Sequence, residues 1–308
     1  MFVHLPRTSS GRAAALVRWG GHEKGCRARS VLYPEQTMFD KGPDRGPPAG
    51  MRGWLSDVYL PAMLEVMERE KALDSLSKRL GAKATVDDPI HGRAKGLAGI
   101  TEHLRKTSNW LLDHSAKYER LAFTTGIDRD VTEGTLSLEF ESKTVDLPVA
   151  VVAERRRSRE VELRVYYATL PIDGAKRTRA RLVPNNPETL VPPPVGDFLA
   201  GLAKGDIKAI EAAFEADGSV RDARGLSHAK GDGALRTFFD TLVAGGAFGG
   251  GLEIELGGSA DDGRSCALEF TLVKARGSDV APQAGLLLFE RGDSGLLRSA
   301  RLYGDLEA

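Results

Sequence analysis

Apolar positions in the first half of the chain recur first at helical and then at strand spacing. Between Trp54 and Leu80 they recur every three or four residues, and Gly81 follows as a stop, which predicts one helix. A second helix is predicted over 97–114. Apolar and polar positions then alternate in four stretches, which predict strands at 118–125, 134–142, 147–153 and 160–170.

The second half follows the same order, with helices before strands. Helical segments are predicted at 196–202, 206–216 and 233–243, and Asp206, after Gly205, is suited to cap the second of them. Strands are predicted at 252–256, 266–273, 285–290 and 297–306. This segregation indicates the α+β class, with helices packed on one face of a curved antiparallel sheet in each half.

Short segments of the first half recur in the second half in the same order. The pairs are Val86-Asp87-Asp88 with Val220-Arg221-Asp222, Ala94-Lys95-Gly96 with Ala229-Lys230-Gly231, Leu138-Glu139-Phe140 with Leu268-Glu269-Phe270, and Arg164-Val165-Tyr166 with Arg301-Leu302-Tyr303. Two copies of one unit, each long enough to be a domain, are the economical interpretation.

The composition along the chain sets the predicted boundaries. Residues 1–50 are rich in Arg, Gly and Pro without periodicity and are predicted to be a disordered tail. Met51, just before the first predicted helix, is a candidate for the first residue of the native protein. The first unit then spans 51–170. A linker with six prolines follows over 171–195, and the second unit covers 196–308.

Charge and cysteine content narrow the function classes. Lys plus Arg and Asp plus Glu are equal at 43 each, so we expect neither nucleic-acid nor membrane partners. No apolar run approaches the length of roughly 18 residues that a membrane-spanning helix needs. The two cysteines lie far apart in the sequence, which favours a reducing, cytoplasmic location. The six histidines lack metal-ligand spacing, so neither a metal nor a cofactor is expected.

The second half resembles the nuclear transport factor 2-like superfamily and, within it, the SnoaL-like proteins. The residues that carry the resemblance are Leu202 to Asp206 leading into Ile210 and Phe214, Asp217-Gly218, Lys230-Gly231 before a helix, and the ending Ala300 to Asp305. The resemblance implies two cone-shaped units, each with a bent sheet around helices and an apolar pocket, packed as a pseudo-dimer. Members of this superfamily include isomerases, cyclases, hydrolases and dehydratases as well as modules without catalysis.

The last strand holds the candidate catalytic residues. Alternation is expected to place Arg301, Tyr303 and Asp305 on one face. The resemblance implies that Asp305 points into the pocket as a general acid/base, with Tyr303 and Arg301 assisting; the alternative is a surface ladder of polar side chains. The corresponding position in the first unit is Ala168, which predicts a depleted pocket there.

Three further residues are candidates for ligand binding. Asp222 either lines the pocket mouth or fixes a turn, and His228 lies near it as a loop or mouth residue or as a base. Glu269, between apolar neighbours, is either on the solvent face of the sheet or in the pocket with a perturbed pKa.

Three functions remain open at this point. The first is a binding module for a small apolar metabolite, with the pocket in the second unit. The second is a cofactor-independent isomerase, cyclase or hydrolase that uses Asp305, and the third is a structural or partner-binding protein whose pockets are filled by side chains. The sequence identifies no particular ligand.

Overall fold

The computed structural model of the protein describes residues 55–140, 143–156, 160–243, 251–275 and 278–306. The predicted tail at 1–50 and the candidate start at Met51 lie outside this range. No helix among the described residues is long and apolar enough to cross a membrane.

The first unit begins with helices and continues into strands, as predicted. Its elements are α1 (Leu55–Leu64), α2 (Arg69–Leu80), β1 (Thr85–Asp88), β2 (Gly92–Lys95), α3 (Gly96–Asp113), β3 (Lys117–Thr125), β4 (Arg129–Phe140), β5 (Lys143–Arg155) and β6 (Val161–Tyr166). A short helix, α4 (Leu170–Asp173), follows.

The second unit repeats this plan. Its elements are α5 (Pro193–Lys204), α6 (Ile207–Ala212), β7 (Phe214–Arg221), β8 (Ser227–Ala229), α7 (Ala234–Val243), β9 (Glu253–Asp261), β10 (Ser265–Ala275), β11 (Ser278–Arg291) and β12 (Leu297–Tyr303). The predicted cap is confirmed, since the Asp206 carboxylate accepts a hydrogen bond from the Ala209 amide at 3.1 Å.

The two sheets have the same strand order, β2-β1-β6-β5-β4-β3 and β8-β7-β12-β11-β10-β9. The α+β class with two nuclear transport factor 2-like units is confirmed, and each sheet is mixed, with one parallel pair among otherwise antiparallel strands. In each sheet the first strand pairs parallel with the last, as β1 does with β6 and β7 with β12. Such a pair joins strands far apart in the chain, so local periodicity does not indicate it.

Two predicted helices have different bounds in the structure. The single helix over 54–80 is divided into α1 and α2, and the chain between them leaves Val66 and Met67 exposed. The helix over 206–216 ends at Ala212, because Phe214 begins a strand that pairs with β12. Packing in the sheet thus overrides the local helical pattern at this point.

Each unit buries an apolar core between its helices and its sheet, and a third cluster joins the units. This cluster combines residues of both sheets: Val131, Ala150, Val152, Tyr166, Ala260, Ala267, Leu286, Leu288 and Tyr303. The sheets therefore contact each other through the faces opposite to their helices, which is the pseudo-dimer that the resemblance implies.

Two matching sets of buried polar contacts cross this interface. Arg164 and Tyr166 of the first unit donate to the Glu269 carboxylate, with distances of 2.5 Å from Arg164 Nε and 2.7 Å from the Tyr166 hydroxyl. In the opposite direction, Arg301 Nε lies 2.6 Å from the Glu133 carboxylate, and the Tyr303 hydroxyl donates to it at 2.5 Å. The interface is therefore close to two-fold symmetric in its polar contacts.

The strand register identifies which residues of the two units are equivalent. Ala150 lies opposite both Glu133 and Tyr166, and Leu286 lies opposite both Glu269 and Tyr303. Glu133 is therefore the structural counterpart of Glu269. The pairing of Leu138-Glu139-Phe140 with Leu268-Glu269-Phe270 is wrong, because identical short segments need not share a place in the register, and Glu139 is exposed.

The proline-rich segment 171–195 packs against both units. The Arg179 guanidinium donates to Asp87 of β1 at 2.8 Å, and the Arg179 carbonyl accepts from the Ala284 amide of β11 at 2.7 Å. Val183 is buried, and its side chain fills the space beside Gly257. Contacts to both sheets fix the path of this segment across the interface.

Candidate functional site

A cavity of about 820 Å³ lies in the second unit, between the sheet and the helices α5 and α7. Its inner wall is apolar and includes Phe198, Leu202, Phe239, Phe270, Leu287 and Leu302. Exposed residues such as Arg224, Asp232 and Thr241 also line it, so the cavity opens to solvent on their side. Its size falls within the range of roughly 300 to 1,000 Å³ that is typical of small-molecule sites.

The apolar lining follows from strand alternation. On β12, Ala300 and Leu302 line the cavity, whereas Arg301 and Tyr303 point to the opposite face. Side chains on a strand alternate between the two faces of the sheet. One face of each strand therefore supplies the cavity, and the other supplies the contacts with the first unit.

Arg301 and Tyr303 lie in the interface between the units. Both bind Glu133 of the first unit, and the Tyr303 hydroxyl also accepts a hydrogen bond from Arg221. Burial and the nearby Glu133 carboxylate raise the pKa of Tyr303 well above its usual value. Neither residue is among those that line the cavity, so the structure does not bring them together with a ligand there.

Asp305 lines the cavity although Arg301 and Tyr303 do not. The expectation that alternation puts all three on one face is wrong, because β12 ends at Tyr303 and Gly304 follows with a φ of +102°. This conformation suits glycine, which has no Cβ. The change of direction turns Asp305 toward the cavity, where its side chain is buried.

Glu269 is buried in the interface and not exposed to solvent or to the cavity. Burial alone would raise its pKa, but the Arg164 and Arg129 guanidiniums and the hydrogen bonds from Arg164 and Tyr166 outweigh burial and hold the pKa at about 2. Glu269 therefore has a perturbed pKa, but its cause is an ion pair between the two units and not a place in the pocket.

Asp222 and His228 are the polar pair that the structure brings to the cavity. The Asp222 carboxylate accepts from the amides of Arg224 and Leu226, so this residue both lines the cavity and fixes the β7–β8 turn. The His228 Nε2 atom lies 3.5 Å from the Asp222 carboxylate, and the imidazole stacks on Phe238 with 4.5 Å between ring centroids.

The register explains why the two units differ at this place. Val86 of β1 pairs with Ala94 and Val220 of β7 pairs with His228, so the strand position of His228 is alanine in the first unit. There His91, in the β1–β2 turn, lies 3.5 Å from the Asp88 carboxylate instead. The chain position after Tyr166 is Tyr167, whose buried side chain reaches Asp88 with its hydroxyl at 3.3 Å. The position after Tyr303 is Gly304, which leaves that space empty.

Two groups of residues at these sites were not predicted from the sequence. Glu133 and Arg129 complete the interface, and Ala168, Leu170 and Lys176 of the first unit and the linker line the cavity. The spacing of Glu133 from Tyr166 matches that of Glu269 from Tyr303 to within one residue, and this match could have identified Glu133 from the sequence.

Within the described ranges, no group of three or more His, Cys, Asp or Glu side chains is placed to hold a metal ion.

Solved structures similar to this chain are cyclase-like and nuclear transport factor 2-like proteins. The epoxide hydrolase/cyclase-like enzyme SalBIII, which has a role in pyran ring formation in the polyether salinomycin, is 13% identical, with 36% of this chain and 84% of that chain covered and a TM-score of 0.28. A polyketide cyclase-like protein of Sinorhizobium meliloti is 22% identical, with 36% and 92% covered and a TM-score of 0.28.

A nuclear transport factor 2-like protein of unknown function from Cytophaga hutchinsonii is 16% identical, with 38% of this chain and 90% of that chain covered and a TM-score of 0.28. Each of these proteins is thus matched over about one third of the present chain. No protein-family model and no curated protein matches the chain.

Proposed function

We propose that the second unit binds a small, largely apolar metabolite in its cavity, and that binding without catalysis is its function. The observation that carries the proposal is the cavity of about 820 Å³ with an apolar inner wall. Apolar walls with a few placed polar groups are typical of ligand sites, because burial drives binding and polar groups set orientation.

The polar groups of the cavity are few and mostly satisfied. Asp222 is held by backbone amides of its own turn, and the Asp305 carboxylate accepts from the Thr169 amide at 2.7 Å. The His228 Nε2 atom makes no hydrogen bond and lies 3.5 Å from the Asp222 carboxylate. A ligand with one hydroxyl or carbonyl group on an apolar body fits this arrangement.

An open cavity and a buried Asp305 argue against a purely structural role for the second unit. A module whose pocket is filled by its own side chains would resemble the first unit, where Tyr167 occupies the position of Gly304. The difference between the units supports a binding role for the second.

The test is the binding of a fluorescent apolar probe, anilinonaphthalene sulfonate, followed by competition with a panel of steroids and aromatic polyketides. The variant Ala300→Phe places a ring in the cavity and is expected to weaken binding at least about tenfold. Thr144→Phe, at an exposed position of the first unit, is the matched control and should bind as the wild type does. Equal binding by wild type and Ala300→Phe would refute the proposal.

A second candidate function is acid/base chemistry on the bound molecule without a cofactor, as in an isomerase, cyclase or hydrolase. Two observations favour it: Asp305 lines the cavity, and the Asp222 carboxylate lies beside the His228 imidazole. A carboxylate next to an imidazole can orient the ring toward a bound molecule.

Incubation of the protein with each competitor from the panel, followed by mass spectrometry, tests this alternative. Catalysis would give a product that Asp305→Asn or His228→Gln no longer forms, while both variants still bind the probe. If each competitor is recovered unchanged after incubation with the wild type, binding without catalysis remains the proposed function.

A further inference from the structure

The cavity of the second unit has one wall supplied by the chain that leaves the first unit. We call residues 168–177 the cavity loop; it contains α4, and Ala168, Leu170 and Lys176 of this loop line the cavity. Residues 173–177 are exposed, and Gly174 has a φ of +76°. The loop therefore lies between the cavity and solvent.

Asp305 is the main polar contact between the cavity loop and the second unit. Its Oδ2 atom accepts three hydrogen bonds: from the Thr169 amide at 2.7 Å, from the Thr169 hydroxyl at 2.5 Å and from the Arg177 amide at 3.1 Å. The Lys176 ammonium adds a longer contact, to the Leu306 carbonyl at 3.3 Å. A single carboxylate oxygen thus holds both ends of the loop.

The chain on either side of the loop is fixed independently of this contact. Tyr166 precedes it in β6, and Arg179 follows it with bonds to Asp87 and to the Ala284 amide. Within the loop, the Thr169 hydroxyl also accepts from the Arg177 amide at 3.1 Å, and its own proton is shared between Asp305 and the Ala175 carbonyl. Loss of the Asp305 carboxylate would free the loop while the chain on either side of it stays fixed.

We infer that Asp305 is a positioning residue that latches the cavity loop over the mouth of the cavity and so controls the exchange of the ligand. The part of this inference that concerns ligand exchange rests on the proposed function; the part that concerns the loop does not. The counterpart of Asp305 in the first unit is Ala168, so the latch belongs to the unit that has the cavity.

Limited proteolysis tests the latch without any ligand. Trypsin cleaves after Lys176 and Arg177, which are exposed, but only when the loop leaves its folded conformation. Because a hydrogen bond to a charged group is among the stronger ones, Asp305→Ala is expected to raise cleavage at these two sites about tenfold or more. Cleavage after Lys71, an exposed residue of α2, serves as the internal control for unfolding and should not change.

Probe dissociation tests the role of the loop as a gate. With anilinonaphthalene sulfonate bound, stopped-flow dissociation from Asp305→Ala should be faster than from the wild type. Asp240→Ala, which removes an exposed carboxylate of α7 outside the cavity lining, is the matched control and should dissociate as the wild type does. A probe that binds neither protein would refute the proposed function, while the proteolysis would still decide on the latch.

A second variant tests the latch if Asp305→Ala does not fold. Thr169→Val removes the hydroxyl donor and keeps the amide donor, so a smaller rise in cleavage after Lys176 and Arg177 is expected. Unchanged cleavage at these sites in folded Asp305→Ala, or in folded Thr169→Val when the former does not fold, would overturn the inference. A loss of turnover without a change in proteolysis would assign Asp305 to catalysis instead.

Discussion

Replacement of Glu269 by glutamine should lower the free energy of unfolding more than a substitution at an exposed position does. The Glu269 carboxylate is buried and accepts from Arg164 at 2.5 and 2.8 Å and from the Tyr166 hydroxyl at 2.7 Å. Its pKa falls from the usual 4.5 to about 2 on folding. At about 1.36 kcal/mol for each pKa unit, the ionised side chain contributes about 3 kcal/mol of stability at neutral pH.

We therefore expect Glu269→Gln to lower the free energy of unfolding by about 3 kcal/mol, because it removes the buried carboxylate beside the Arg164 and Arg129 guanidiniums, which keep only the less buried Glu154 and Glu162 as charged partners. Urea unfolding at pH 7, followed by far-UV circular dichroism, measures the loss. Glu139→Gln is the matched control, because Glu139 lies in the segment whose sequence matches that around Glu269 but is exposed. It should change the free energy of unfolding by less than about 0.5 kcal/mol. Equal stabilities of the two variants would refute the reasoning.

The same contribution has a defined pH dependence. The folded pKa of Glu269 is depressed, so its contribution is complete above about pH 4.5 and is lost as the pH falls through about 2. The difference in stability between wild type and Glu269→Gln should therefore fall to about half near pH 3. A difference that grew on acidification would have the wrong sign for this ion pair.

Substitutions at three further positions test other features, each by urea unfolding against the wild type. Gly258→Ala would place a Cβ atom 1.4 Å from Arg129 Nη1 and displace a guanidinium of the interface, so a loss of about 2 kcal/mol or more is expected; a loss within error would mean that Arg129 has room to move. Asp206→Ala removes the cap that accepts from the Ala209 amide and should cost about 1 kcal/mol, whereas Asp206→Asn should restore most of it. Gly304→Ala meets a φ of +102° and should cost about 1 kcal/mol, and a neutral result would show that the backbone there relaxes readily.

The order of elements and the class of fold could be read from the sequence because they depend on local periodicity. Helical spacing before alternating stretches gave the α+β class in both halves, and the Asp206 cap was identified from its chemistry alone. The short strands β1, β2 and β8 were missed, since three or four residues carry too little pattern to be recognised.

The candidate site was predicted only in part. Asp222, His228 and Asp305 do line one cavity, whereas Arg301, Tyr303 and Glu269 lie in the interface. Alternation correctly placed Arg301 and Tyr303 together, but it could not show which of the two faces of the sheet meets the other unit. Gly304 then reversed the expected face of Asp305.

Local pattern in the sequence indicates what each segment prefers: which positions alternate, which recur at helical spacing, and that related segments occur twice. Long-range contacts determine the rest, because parallel strand pairing joins residues about 80 positions apart and the contact between the two sheets joins residues more than one hundred positions apart. Glu133, and not Glu139, is the structural counterpart of Glu269. Strand pairing determines which residues are equivalent, whereas a match of three residues in the sequence does not. The same long-range packing brings the cavity loop of the first unit to the site of the second.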